Sequence, residues 1–281
     1  MRIAVTGSSG KLGTVVVREL EAAGYEVIGM DRVGQRGFGF VQVDFTDYGQ
    51  VVDAFTAVGD RHDGIDAVVH LAAIPAPGIQ SDVSTFHNNI AATFNVFWAA
   101  TRLGIRNIVA ASSETVQGLP FDTPPPYIPV DEAYPPRPES TYSLVKVLEE
   151  RMAVELVRWF PDLSLTALRF SNVMWPEDYA EFPSFNDDAT LRKWNLWSYI
   201  DARDGAQAVQ KALEKRIPGF NHFLIANADT VMTRPNAELI AEVFPDTPIT
   251  EGFGDNETLF SIDKARELLG FEPQHSWRDH V

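Results

Sequence analysis

Residues 2–13 read "RIAVTGSSGKLG", and this stretch decides the fold. "RIAVTG" (2–7) is an apolar run that reads as a buried strand, and "KLGTVVVRELEAAG" (11–24) has the spacing of a helix ending at Gly24. Between them stand Gly7, Gly10 and Gly13. Glycine lets such a turn tighten and lets backbone N–H groups approach an anion, and the helix N-terminus that follows stabilises a pyrophosphate. The spacing is G-x-x-G-x-x-G, not the commoner G-x-G-x-x-G. Its place between the first strand and first helix of a βαβ unit is nevertheless that of a dinucleotide-binding turn. Ser9, Lys11 and Leu12 lie within the turn and are expected against the same ligand.

Outward from the turn, strand-like and helical runs alternate. "EVIGMD" (26–31), "FGFVQVD" (38–44), "DAVVHLAA" (66–73), "NIVAASS" (107–113) and "SLTALRF" (164–170) read as strands. Helices are expected over 48–58, from about Ser84 to Leu103, and from the segment "STYSLVKVLEE" (140–150) to about Phe160. This alternation predicts an α/β fold, a parallel sheet covered by helices on both faces. Residues 119–138 are Pro-rich and are expected to cross the C-terminal strand edge, where ligands sit in such sheets. Beyond Asn172 the pattern is less regular. Residues 1–172 are therefore assigned to a dinucleotide-binding domain, to whose sheet a strand over 220–227 is added, and 173–281 to a smaller substrate-binding region.

Composition narrows the function. The 281 residues carry a formal net charge of −16 and no Cys. No basic run of nucleic-acid type occurs, so DNA, RNA and anionic membranes are discounted as partners. Thiolate metal sites, disulfides and Cys nucleophiles are excluded. The N-terminus enters a strand pattern at once and no stretch approaches the roughly 20 apolar residues of a membrane span, so a soluble cytoplasmic protein is expected. His62, His70, His87 and His222 have no second ligand at metal-binding spacing, and no metal is expected.

Asp31 ends the second strand, 24 residues after Gly7. A carboxylate there accepts from the adenosine ribose hydroxyls and repels a 2′-phosphate, which favours NAD over NADP. Arg32 and Arg36 pull the other way, since an Arg at this place can hold that phosphate. Asp44, followed by Phe45, could accept from the adenine amino group or simply cap the next helix.

Together, "TGSSGKLG" (6–13), "HLAA" (70–73), "NNIAATFNV" (88–96), "ASSETVQG" (111–118), "YSLVK" (142–146), "LRFSNV" (168–173), "YIDARD" (199–204) and "SIDKARELLGFEP" (261–273) resemble the extended short-chain dehydrogenase/reductases, the group of NAD-dependent sugar epimerases and dehydratases. The resemblance covers nearly the whole chain. It implies a Rossmann-type, doubly wound parallel sheet with a small C-terminal α/β substrate-binding domain, and a Ser-Tyr-Lys catalytic set at Ser113, Tyr142 and Lys146. It also places Leu71, Ala72 and Ala73 against the cofactor, Asn89 beneath it, and Asn172 and Val173 near nicotinamide and substrate. Asn89 and Asn172 could equally be buried amides that tie loops together. Tyr142 and Lys146 are four apart and share a helix face. A free phenol, with a pKa of about 10, is a poor base at neutral pH. A neighbouring ammonium favours the phenolate, so that Tyr142 can take a hydroxyl proton while the carbon gives hydride to NAD. Many relatives dimerise through this helix and the one over 84–103, and a homodimer is expected.

Three departures bear on the substrate. Gln117 stands where Tyr is common, "NVMWPED" (172–178) replaces N-V-Y-G-P, so that Met174 and Trp175 could wall the pocket, and Glu114 replaces a small residue beside Ser113. Glu114, with Thr115, either binds substrate hydroxyls or faces solvent. Between Asn172 and Tyr199 lie 26 residues, too few to wrap a nucleotide as sugar-nucleotide relatives do, and Trp197 stands where those relatives often hold a diphosphate with Arg. A Trp there could stack on a sugar face. Arg192 and Lys193 read as a solvated pair, or as holders of one carboxylate or phosphate. The expected activity is NAD-dependent oxidation of a secondary alcohol of a small sugar or sugar acid. A nucleotide-sugar epimerase is the alternative, and a regulator that binds NAD without turnover the second.

Overall fold

The computed structural model describes residues 1–34, 39–56 and 63–280; Arg36, His62 and the last two residues of the 48–58 helix lie outside them. In chain order the elements are β1 (Arg2–Thr6), α1 (Lys11–Ala22), β2 (Glu26–Asp31), β3 (Phe40–Gln42), α2 (Tyr48–Thr56), β4 (Ala67–His70), α3 (Asp82–Arg102), β5 (Asn107–Ser113), α4 (Thr141–Trp159), β6 (Ser164–Phe170), β7 (Val173–Met174), β8 (Ile200–Asp201), α5 (Ala202–Lys215), β9 (Gly219–Ile225), α6 (Asn236–Val243) and α7 (Asp263–Leu269). Seven strands form one sheet in the order β3-β2-β1-β4-β5-β6-β9, every pairing parallel. The strand order reverses between β1 and β4, and a ligand crevice opens beyond the strand ends at such a point.

Alternation along the strands feeds two cores. Ile3 and Val5 of β1, with Val69 and Val109, pack on the face covered by α1 and α5. Ala4, Val68, Ile108 and Leu165 face α2, α3 and α4. The strand beyond residue 218 joins this sheet through β6, and α5 packs on α1, so residues 202–225 are built onto the same sheet. The Pro-rich segment turns away from the crevice. It buries Phe121, Ile128, Val130 and Tyr134 and bridges to the C-terminal region at Ile128–Ile249 and Val130–Phe260.

The start of α4 is fixed locally. Ser140 Oγ accepts from Ser143 N at 3.1 Å while Ser143 Oγ accepts from Ser140 N at 2.9 Å. This reciprocal cap satisfies two backbone donors and sets Tyr142 in the first turn. Further along α4, Glu150 takes a two-pronged bond from Arg169 of β6 at 2.9 and 2.7 Å and a third from Ser112 Oγ at 2.6 Å. All three residues are buried. Burial alone would raise the Glu150 pKa, but Arg169 and Ser112 outweigh it and hold the carboxyl below its ordinary value. These bonds tie the helix to β5 and β6.

Candidate active site

A cavity of about 560 Å³ runs along the carboxyl ends of the strands. At one end lie Gly7, Gly10, Lys11, Leu12 and Gly13, with Asp31, Arg32, Asp44, Phe45, Leu71, Ala72 and Ala73 around them. Gly7 has φ 71°, and a Cβ there would stand 2.7 Å from Ala72 N; a Cβ on Gly13 would stand 2.0 Å from Gly7 O. Neither position admits a side chain. Gly10 caps α1 with no side-chain bond, which leaves the helix's first N–H groups for an anion. The Asp31 carboxylate accepts from Ser9 N at 3.0 Å and from Val33 N at 3.4 Å. These residues fit a dinucleotide: glycine where a Cβ would close the cradle, an uncapped helix end, and an acid at the end of β2.

The other end is lined by Ser113, Glu114, Thr115, Tyr142, Lys146, Asn172, Val173 and Trp194. The Lys146 ammonium lies 5.9 Å from the Tyr142 ring centre. Burial is the largest influence on the phenol and holds its pKa above the ordinary value. Lys146 and the Ser113 hydroxyl favour the phenolate, while Glu149 and Glu114 oppose it. The ammonium favours the phenolate, and burial outweighs it. Ser113 Oγ accepts from Thr115 N and Oγ1 at 3.2 and 3.0 Å.

Glu114 does not face solvent. It is 3 % exposed and accepts from Ser171 Oγ at 2.6 Å and Asn195 Nδ2 at 3.3 Å. Burial pushes its pKa up to about 7 against these bonds and the nearby Arg192. Arg192 is no solvated residue either. It is buried, donates to Asn172 Oδ1 at 3.1 Å and Ser198 O at 2.9 Å, and lies 4.9 Å from the Trp194 ring centre. Lys193 pairs with Asp122 at 3.1 Å.

Several expected residues stand elsewhere. Leu196 and Trp197 adopt left-handed φ of 53° and 57°, and this reversal carries Trp197 into the core. There it is fully buried, gives its Nε1–H to Ala189 O at 2.7 Å and packs on Phe244. It cannot stack on a ligand, and Trp194 takes the wall instead. Asn89 is a buried amide with both polar atoms on Ile74, at 2.8 and 3.0 Å; it shapes the loop after β4, and Asn88 faces the cavity. Ser9 also lies outside the lining and braces the turn through Asp31 and Val33 O. Met174 and Trp175 do not wall the cavity. Trp175 lies over the Lys11 ammonium and donates to Lys11 O at 3.0 Å, while Lys11 pairs with Asp178. Asp44 lines the cavity and accepts from Thr46 N at 2.9 Å in the turn before α2; the cap of that helix is Asp47, whose Oδ1 accepts from Gln50 N at 3.2 Å, and not Asp44.

Sequence reasoning missed Trp194 and the acid Glu149, which accepts from Lys146 Nζ at 2.8 Å. Glu149 follows Lys146 by three residues, a spacing that puts both on one helix face. Trp194 carried no such signal. Among the described residues no group of His, Asp and Glu could hold a metal ion, and no helix is long and apolar enough to cross a membrane.

Comparison with known proteins agrees with this geometry. Residues 3–226 match the family model described as NAD dependent epimerase/dehydratase family. The L-arabinose 1-dehydrogenase (NAD(P)(+)) of Haloferax volcanii is 29% identical over 228 residues, 77% of this chain and 84% of that protein. The UDP-glucose 4-epimerase of Lacticaseibacillus casei is 26% identical, covering 100% of this chain and 94% of that one. That alignment spans 328 positions, more than the 281 residues here, so the epimerase has stretches this chain lacks. A crystal structure of a UDP-galactose 4-epimerase superposes with a TM-score of 0.68 at 27% identity, over 98% of this chain and 94% of that one.

Proposed function

Since the chain belongs to the NAD dependent epimerase/dehydratase family and is an NAD-dependent enzyme, we propose that it oxidises a secondary alcohol of a small sugar that carries no nucleotide. The observation that carries this reading is one continuous cavity with the glycine turn at one end and Tyr142, Lys146 and Ser113 at the other. NAD, when bound, supplies the hydride acceptor and a positive ring beside the phenol. Tyr142 takes the hydroxyl proton, Ser113 orients the substrate oxygen, and Lys146 holds its charge beside Tyr142 and one N–H toward the cavity.

Size and charge support a compact substrate. Two short 3-10 helices, Pro176–Asp187 and Ala189–Asn195, use up most of the segment between Asn172 and Tyr199. Their bulky residues Tyr179 and Phe182 are buried in the core and do not line the cavity. At the sugar end of the cavity Glu114 offers a carboxyl, Trp194 a ring face and Asn172 an amide. Lys146, the cation there, is already paired with Glu149, and Arg192 is engaged by Asn172 and Ser198 behind the wall. This favours an uncharged aldose over a sugar acid, in keeping with the arabinose dehydrogenase among the relatives. A sugar-nucleotide epimerase is the second reading, favoured by the full-length match to UDP-glucose 4-epimerases. The half-exposed Phe94 of α3 and Leu144, Leu148 and Trp159 of α4 support a homodimer through these helices.

The test is NADH formation across a panel of neutral aldoses and uronates, with calorimetry against UDP, GDP and dTDP. NADH from a free sugar with no nucleotide binding is the expected result. Micromolar binding of a nucleoside diphosphate would restore the epimerase.

A further inference from the structure

Lys146 is 4 % exposed and its ammonium has three N–H donors. One goes to Ala111 O at 2.9 Å and one to Glu149 Oε2 at 2.8 Å. The third is left for the cavity that Lys146 lines. Behind Glu149 runs a chain of buried hydrogen bonds. Thr93 Oγ1 of α3 donates to Glu149 Oε1 at 2.8 Å, Thr93 Oγ1 lies 3.0 Å from His70 Nε2, and His70 Nδ1 lies 2.8 Å from Thr6 Oγ1. Thr6 Oγ1 in turn accepts from Leu71 N and Ala72 N, both at 3.2 Å.

The protons in this chain can be assigned by elimination. Thr93 has one hydroxyl hydrogen and spends it on Glu149, so it must accept from His70 Nε2–H. His70 Nδ1 is then an acceptor and takes the Thr6 hydroxyl hydrogen. Every donor points toward the Glu149 carboxyl group, and the arrangement fits a neutral His70. Burial, with Lys146 second, holds the His70 pKa down to about 3, consistent with the neutral ring. Thr6 is fully buried, so the chain ends in the core. Its bond from Thr93 holds Glu149 in place.

We propose that Glu149, held by Thr93 and His70, is a positioning residue that fixes the Lys146 ammonium beside Tyr142 and sets the pH range over which Tyr142 acts. The inference rests on Tyr142 as the base proposed above. The other charges around the pair are engaged or distant from this task. Glu150 of α4, which also faces His222 of β9, is committed to Arg169 of β6. Glu114, from the turn after β5, bonds Ser171 and Asn195. His70 of β4 is neutral. Burial alone would lower the Lys146 pKa; Glu149, with Tyr142 and Glu150, outweighs it and holds the ammonium above its ordinary value, and the same carboxylate opposes a phenolate on Tyr142.

Glu149→Gln keeps the shape and removes the charge. Its Tyr142 should titrate lower, with an acidity constant about tenfold larger. The measurement is the ultraviolet phenolate titration of each NAD-loaded protein minus that of its Tyr142→Phe counterpart. Thr93→Val, which cuts the chain, should weaken NAD binding at least about threefold by freeing Lys146, and Thr93→Ser should restore it. Neither readout needs turnover, so a chain that oxidises no sugar counts against the substrate reading alone. An unchanged or raised Tyr142 titration in Glu149→Gln overturns the proposal, as does equal NAD affinity in Thr93→Val and Thr93→Ser.

Discussion

Glu114→Gln should change how stability depends on pH, and the structure gives the sign and size. The carboxyl is 3 % exposed, and burial lifts it from an ordinary 4.5 to about 7. The folded chain therefore binds more protons than the unfolded one between these values. Stability falls as pH rises through that window; it carries no penalty below about pH 4 and the full penalty above about pH 8. At about 1.36 kcal/mol per unit, the penalty approaches about 3 kcal/mol, of which about 2 to 3 kcal/mol develops between about pH 5 and about pH 8. Glutamine does not titrate, so the variant should lose this slope. Its amide must share space with the Asn195 amide, at a cost of about 1 kcal/mol. Asn195 Oδ1, buried without a partner, can turn to accept from it. That cost is the same at both pH values and cancels in the comparison. The assay is urea unfolding of both proteins at about pH 5 and about pH 8. The stability difference between them should move by about 2 to 3 kcal/mol in the variant's favour on going to the higher pH. Parallel pH dependences would refute the buried, late-titrating carboxyl.

Three further outcomes are expected. Tyr142→Phe keeps the ring and its packing, and should lower turnover at least about 10²-fold with NAD affinity little changed; near-normal turnover in steady-state kinetics sinks the base assignment. Asp31→Ala should narrow the preference for NAD over NADP in equilibrium titration, because repulsion of the 2′-phosphate disappears while Arg32 remains on the cavity wall; a wild type that binds both equally removes the role given to Asp31. Gly13→Ala forces a Cβ to 2.0 Å from Gly7 O and should cost at least about 1–3 kcal/mol in thermal unfolding and abolish NAD binding; a variant with native affinity contradicts the tight turn.

What was legible in the sequence is what repeats. Buried strands of a parallel sheet are continuous apolar runs, and β1, β4, β5 and β6 announce themselves that way. The glycine turn is legible because its backbone demands glycine. Residues 176–195 gave no period, since they form 3-10 turns around Pro183 rather than an α-helix. Within "RKWNLW" (192–197), nothing in composition says which Trp meets the cavity. Two consecutive left-handed residues decide it, by turning Trp197 in and leaving Trp194 at the wall. Arg192 misleads for a related reason: its guanidinium lies over Phe185 and Trp194, at 5.3 and 4.9 Å, and flat stacking of this kind lets a charged residue go under.

Helix α4 shows how far a pattern can be pushed. Read as sequence, its apolar residues run almost all round, which suggests burial on a second side. In the structure Leu144, Leu148 and Trp159 are partly open, while one stripe through Tyr142, Lys146, Glu149, Ala153 and Leu156 is buried along its length. The steps of four, three, four and three are those of one helix face. That face is apolar at its far end, where Ala153 and Leu156 join the core with Leu163 and Leu165. It is polar and charged at its near end, where β5 and β6 run out. Buried charge is costly without partners, and here the partners come from the strand ends and from α3. A change from apolar to charged along one buried stripe thus marks the point where a helix passes from covering a sheet to overhanging its edge. In a parallel α/β fold that point is the ligand crevice. The charges nearest it, Lys146 and Glu149, are the groups on which the proposed chemistry of Tyr142 depends.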